Sequence, residues 1–179
     1  MITKFKDIPQ FPRAYYQVNI GMAHLKENLE RWDNKEGGGP LILNPDFQRG
    51  HVWNKTQQSR FIEYFLKGGE TGRNLYFNCS SWMSGFNTPV YCVDGLQRIT
   101  AAIGFMENKV KAFGLLMSEF EDKFPINSYS FICHMMKIKN KKELLSIYLD
   151  FNSGGTPHNP KELKRVAEMI DAADPNETL

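Results

Sequence analysis

The chain has 179 residues, 41% hydrophobic and 23% charged, the balance of one globular domain with a real core, which excludes general disorder. Twenty-two basic residues against twenty acidic ones leave a net charge of +2, so bulk electrostatics cannot hold a nucleic acid and any polyanion site must be a local group of arginines. No apolar run approaches the roughly 20 residues of a membrane span, and MITKFKDIPQFPR lacks the apolar segment of a secretory signal.

Tyr15 to Ile20 reads as a strand. The helix after it, about Ala23 to Trp32, sets Leu25, Leu29 and Trp32 on one side at spacings of four and three. NKEGGGP is a flexible turn, and Leu41 to Leu43 a short buried strand ended by Asn44-Pro45-Asp46. A second helix starts near Lys55, with Asn54 as its cap and Gln57 completing a capping box. Phe61, Ile62, Phe65 and Leu66 form its apolar face, and Gly68-Gly69 stop it. The glycines from Gly68 to Arg73 lack both the spacing and the preceding strand of a phosphate-binding loop.

Asn74 to Cys79 and Pro89 to Val93 read as strands joined by SSWMSGFNT; a hairpin could set Cys79 beside Cys92, but the register is not readable from the sequence. With Cys133 they make an odd set without a CxxC pair, which points to a reducing cytoplasm with neither disulfides nor zinc. Trp82, Phe86 and Tyr91, on or beside that loop, either stack on a base or close the core, and the pattern does not separate the two. A third helix from about Gly95 to Met106 carries the stripe Leu96, Ile99, Ile103 and Met106. Phe113 to Met117 shows no clear period, and Tyr129 to Ile138 is a strand. Lys137, Lys139, Lys141 and Lys142 read as a solvated strand end in preference to a phosphate track. Leu144, Leu145, Tyr148 and Leu149 mark a fourth helix; a fifth opens with Asn159 as cap, Pro160 and Glu162, and buries Leu163, Val166 and Ile170. Strands and helices intermix without a βαβ beat, so the class is α+β, one domain over residues 1–179.

Two segments hold residues that packing does not ask for: Pro45-Asp46-Phe47-Gln48-Arg49-Gly50-His51-Val52-Trp53, and Val93-Asp94-Gly95-Leu96-Gln97-Arg98-Ile99-Thr100. In the second, a strand breaks directly into a helix, whose first N–H groups have no intrahelical partner and, with the helix dipole, favour an anion. Gly95 lets a ligand approach the backbone. Arg98 adds a guanidinium fork in the first turn, and Arg49 a second one if the segments meet. The plainer reading makes Asp94 and Gln97 a capping box that only closes the helix end. His51 reads as an exposed loop histidine before a general base, and Glu63 as a surface glutamate before a metal ligand.

PDFQRGHVW, an amphipathic helix and then VDGLQRITA resemble the N-terminal domain family of GmrSD-type restriction enzymes, whose pattern is P-x-Y/F-Q-R-x-x-V-W followed by D-G-Q-Q-R. Asp150-Phe151-Asn152-Ser153-Gly154-Gly155-Thr156, leading to Glu162-Leu163, is similar to the family's F-N-x-G-G/T turn before a helix, so the motif-bearing core runs from about Asn44 to Leu163. The resemblance implies a compact ParB/sulfiredoxin-like α+β domain that binds a nucleoside triphosphate with Mg²⁺ and hydrolyses it to control DNA cleavage in defence against phage. It implies that Arg49 and Arg98 neutralise phosphate and that the Gly95 backbone cradles an oxyanion. Asp94 would hold the helix start or bind Mg²⁺, Gln97 or Gln48 would orient the attacking water, and Asn152 would contact or brace the pocket. Expected partners are the nucleotide, DNA bound weakly, and a protein of a restriction or counter-defence complex, with no membrane. Leu96 replaces the family's first Gln, and the four histidines form no HNH-like cluster. Two other readings stand beside hydrolysis: metal-dependent nicking of DNA, which the resemblance implies through superfamily relatives described as nucleases, and a non-enzymatic regulatory or decoy module of a restriction system, to which both departures point.

Overall fold

Alternation along three strands decides the architecture. Leu75 and Phe77, Val90 and Cys92, and Phe131, Cys133 and Met135 enter one apolar cluster, while Tyr76, Tyr91, Val93 and Met136 belong to another. Successive side chains of a strand point to opposite faces, so a sheet with apolar residues on both must be covered twice. The computed structural model describes residues 3–8, 14–33, 36–37, 39–48, 50, 52–85, 87–153, 160–174 and 177–178.

The mixed five-stranded sheet has the order β1-β5-β3-β4-β2. β1 (Tyr16–Gly21) runs antiparallel to β5 (Ser130–Met136), which is parallel to β3 (Asn74–Asn78). β3 is antiparallel to β4 (Val90–Asp94), and β4 is parallel to the two-residue β2 (Leu41–Ile42). α1 (Leu25–Trp32), α2 (Lys55–Leu66) and α3 (Leu96–Met106) bury their apolar faces in the larger cluster. α4 (Lys141–Ser153) and α5 (Pro160–Ala172) supply the smaller one on the other side. The class is α+β, as the pattern predicts. Among the described residues no helix is long and apolar enough to cross a membrane.

The α2 start is built as expected: the Asn54 side chain accepts from the Gln57 amide at 2.9 Å, and the Gln57 side chain accepts from the Asn54 amide at 2.9 Å. The hairpin register sets Cys92 opposite Phe77, not Cys79, and all three cysteines are free and buried. Trp82 closes the core: 5% exposed, it packs edge-on against Trp32 at 5.7 Å. Tyr91 is half-buried beside Phe47, whereas Phe86 lies outside the described residues. The stretch after Phe113 shows no period because it is a tight turn, Ala112 bridging Leu115 with Phe113 at φ 52° and Gly114 at φ 82°, followed by a 3-10 turn at Met117–Glu119. The lysine run divides its partners: Lys137 lies 4.9 Å over the Tyr15 ring, and Lys141 pairs with Glu177 at 3.0 Å. Asp150 to Ser153, expected as a turn, is the last turn of α4. α5 begins at Pro160 as expected; Asn159 and the side chain of Glu162 lie outside the described residues.

Candidate functional site

Where β4 ends, the chain turns into α3 through Gly95, at φ +126°; a Cβ there would stand 2.5 Å from Leu75 Cδ2, so both the conformation and the space demand glycine. At this corner opens a cleft of about 790 Å³. Its walls come from all three segments singled out in the sequence: Gln48, Gly50 and Trp53 from the first, Asp94 to Arg98 from the second, and Phe151 and Asn152 from the end of α4.

Asp94 and Gln97 do not form a capping box. Gly95 is the N-cap of α3 and no side chain caps it. Gln97 instead reaches out to the first segment, its Oε1 accepting from the amides of Val52 and Trp53 at 3.0 Å each and its Nε2 donating to the Gly50 carbonyl at 2.7 Å. Gln48 donates through Nε2 to the Cys92 carbonyl on β4. Gln58, buried on α2, donates to the Trp53 carbonyl at 2.9 Å. From the far side of the sheet, Arg165 of α5 donates to the carbonyls of Asp46 at 2.7 Å, Phe47 at 3.2 Å and Gln48 at 3.5 Å. Phe47 is buried edge-on against Tyr148 at 5.1 Å. The loop that carries Arg49 is thus held from α2, β4, α3 and α5. Arg49 itself, and His51, lie outside the described residues.

On the floor of the cleft, Arg98 Nη2 meets Asp94 Oδ2 at 2.5 Å, with side chains 16% and 38% exposed. A guanidinium has five N–H donors, so one bond to Asp94 leaves others for a second anion. Beneath the corner, burial, and after it the charge of Asp94, pushes the Cys92 thiol up to about 12, so it is no nucleophile at neutral pH. Burial also raises Tyr76, with Asp94 adding to it and Arg98 opposing it. The Tyr76 ring stacks on His134 at 4.6 Å; His134 bonds Asn74 at 2.7 Å and is lowered by burial. Asn152, in the cleft lining, donates to the Tyr148 carbonyl of its own helix at 2.7 Å. Leu96, at 8% exposure, packs into the larger core.

Two candidates change role. Glu63, read first as a surface glutamate, has a part in the fold: its carboxylate accepts from the Phe113 amide at 2.9 Å and ties down the tight turn. The Gly68 to Arg73 loop, set aside in the sequence because it lacks phosphate-loop spacing, contributes Thr71 and Gly72 to the cleft wall. Among the described residues no group of three or more His, Cys, Asp or Glu could hold a metal, and Asp94 is the one carboxylate in the cleft lining.

A small α+β domain with a cleft at a strand-to-helix corner, lined by two separate Gln-Arg segments, defines the class. The family model of the GmrSD restriction endonuclease N-terminal domain matches residues 29–130, more than half of the chain, and the chain belongs to that family, a domain of DNA-restriction systems. The match runs from the second half of α1 to the first residue of β5 and takes in both Gln-Arg segments; Asn152 and Arg165 lie beyond it. No curated protein and no solved structure gives a significant match.

Proposed function

We propose that the cleft binds a nucleoside triphosphate, with its phosphates at the β4–α3 corner, and that the domain hydrolyses it while acting on DNA within a restriction or defence complex. The observation that supports this reading is the convergence of three distant segments on one cleft around Arg98 and Gly95. Arg98 supplies charge-assisted donors and the first turn of α3 supplies amides and dipole; Arg49, next to Gln48 in the sequence, would add a second guanidinium. Both glutamines hold the loop of the first segment, so we assign Gln48 and Gln97 a positioning role ahead of water activation. Asn152 would contact or brace the pocket. Mg²⁺ fits this lining, because it keeps several waters and needs only one or two carboxylates beside substrate phosphates. Asp94 would hold it, and the ion would neutralise phosphate charge. Metal-dependent nicking is less well supported, since one carboxylate gives no ligand set at a scissile phosphate.

Calorimetric titration with ATP, GTP, CTP and UTP in Mg²⁺ tests the reading. At least one should bind, and Arg98→Ala should weaken it by about 1.5–3 kcal/mol, the worth of a hydrogen bond to a charged group. Absence of binding by all four would overturn it. Phosphate release by the wild-type chain then separates a hydrolase from a regulatory module.

A further inference from the structure

Charge on the cleft floor accounts for phosphate, but one wall is aromatic and has no role in that account. α2 brings Phe61 and Tyr64 to it, and the following loop brings Thr71 and Gly72. Phe61 is set by the core, with its ring 5.4 Å from Trp53 and 5.8 Å from Phe65. Tyr64 is different: 43% exposed, it is the most open of the aromatic residues in the lining. Its ring lies against the loop backbone, so close to Gly69 that a Cβ there would come within 2.3 Å of it. Its hydroxyl accepts from the Thr71 amide at 3.2 Å, which leaves the phenolic hydrogen to donate elsewhere. Gly72, at φ +83°, carries the loop past both Phe61 and the Arg98 stem; a Cβ there would stand 3.3 Å from the one and 3.5 Å from the other.

A ring held by the Gly69 backbone and at its tip, yet open to a cleft, is a preorganised stacking surface that loses little entropy when a flat partner covers it. A partner with a flat apolar face and an anionic tail suits a wall that adjoins Arg98. We infer that Tyr64, backed by Gly69 and flanked by Phe61, is the nucleobase platform of the cleft, the base stacking on its ring while the phosphates reach Arg98. This rests on the nucleotide reading above and adds to it the place and the chemistry of base recognition.

The test compares nucleoside triphosphates with inorganic tripolyphosphate, which has the charge but no base. Affinities for ATP, GTP, CTP, UTP and tripolyphosphate are measured in Mg²⁺ on the wild type and on Tyr64→Leu, Tyr64→Phe and Arg98→Ala, each checked by thermal melting. The wild type should favour its best nucleotide over tripolyphosphate by about tenfold, in the range that stacking on one aromatic ring supplies. Tyr64→Leu should erase that preference while leaving tripolyphosphate affinity unchanged. Tyr64→Phe, which loses the Thr71 bond but keeps the ring, should retain it. Should Tyr64→Leu fail to fold, Gly69→Ala displaces the ring without removing it and should erase the preference likewise. A preference that survives loss or displacement of the ring, or one that Tyr64→Phe abolishes, overturns the platform. Failure of every ligand to bind, tripolyphosphate included, would instead remove the nucleotide reading itself.

Discussion

At the scale of single residues, the cleft depends on one carboxylate placed between opposing demands. Asp94 neutralises part of Arg98 at 2.5 Å, yet its own charge repels any phosphate that Arg98 attracts. A divalent cation reverses that sign. Asp94→Asn keeps a hydrogen-bond acceptor for Arg98, and the carboxylate caps no helix end, so melting should stay within about 2 °C of wild type, under 1 kcal/mol for a chain of this size. Affinity should split by condition. With EDTA the variant should bind the triphosphate about 3–10-fold more tightly than wild type, about 0.7–1.4 kcal/mol of relieved repulsion. With Mg²⁺ the order should reverse, and nucleotide turnover should fall to background. Calorimetry in the two buffers checks both halves; equal affinities in EDTA would mean that Asp94 does not face the phosphates.

At the scale of elements, the described residues between Asp46 and Trp53 have no regular structure beyond turns, and they are held by side chains on neighbouring elements. Arg165 holds three of their carbonyls from α5. Arg165→Ala should cost about 1–2 kcal/mol and lower the melting temperature by about 2–8 °C. Nucleotide affinity should fall as well, although Arg165 is absent from the cleft lining. Arg165→Lys should recover part of the affinity, one ammonium being able to serve some of the carbonyls. An unchanged affinity in the alanine variant would show that Arg165 supports only the fold.

The same segment marks where sequence reading runs out. The strand segments, the α2 capping box and the α3 stripe are local patterns, and they were legible. Asp94 and Gln97 also fit a local pattern, but two geometries satisfy that spacing. The φ of +126° at Gly95 decides between them, moving the N-cap past Asp94 and turning Gln97 outward to a loop 45 residues back. Arg165 acts over more than 100 residues, and no local spacing announces it. The Gly68 to Arg73 loop joins the cleft because the 12-residue α2 returns the chain to the corner, a matter of element length that no phosphate-loop pattern could report. Trp82 in its loop could not be assigned without Trp32, its partner some 50 residues earlier.

At the scale of the whole molecule, charge sets how the domain meets DNA. The net charge of +2 is dispersed, and several cations are already paired: Lys26 and Lys109 on Glu107, Arg31 on Glu27, Lys141 on Glu177 and Arg98 on Asp94. Each phosphate contact a protein makes releases a counterion, so affinity for duplex DNA rises with the number of free cations aligned on one surface. A net charge of +2 leaves little excess of cations for such a surface, and occupation of the cleft by a triphosphate would lower that excess further by adding negative charge. The isolated chain should therefore bind non-specific duplex no more tightly than about 10⁻⁵ M at physiological salt, with a shallow dependence on salt concentration, and added nucleotide should weaken it. Anisotropy of a labelled 30-mer duplex over a salt series, with and without ATP and Mg²⁺, measures this directly. Tight binding with a steep salt slope would place a basic DNA surface on this chain itself. Weak binding that a second protein strengthens would place the DNA grip on that partner and leave the nucleotide cleft as the part this domain contributes.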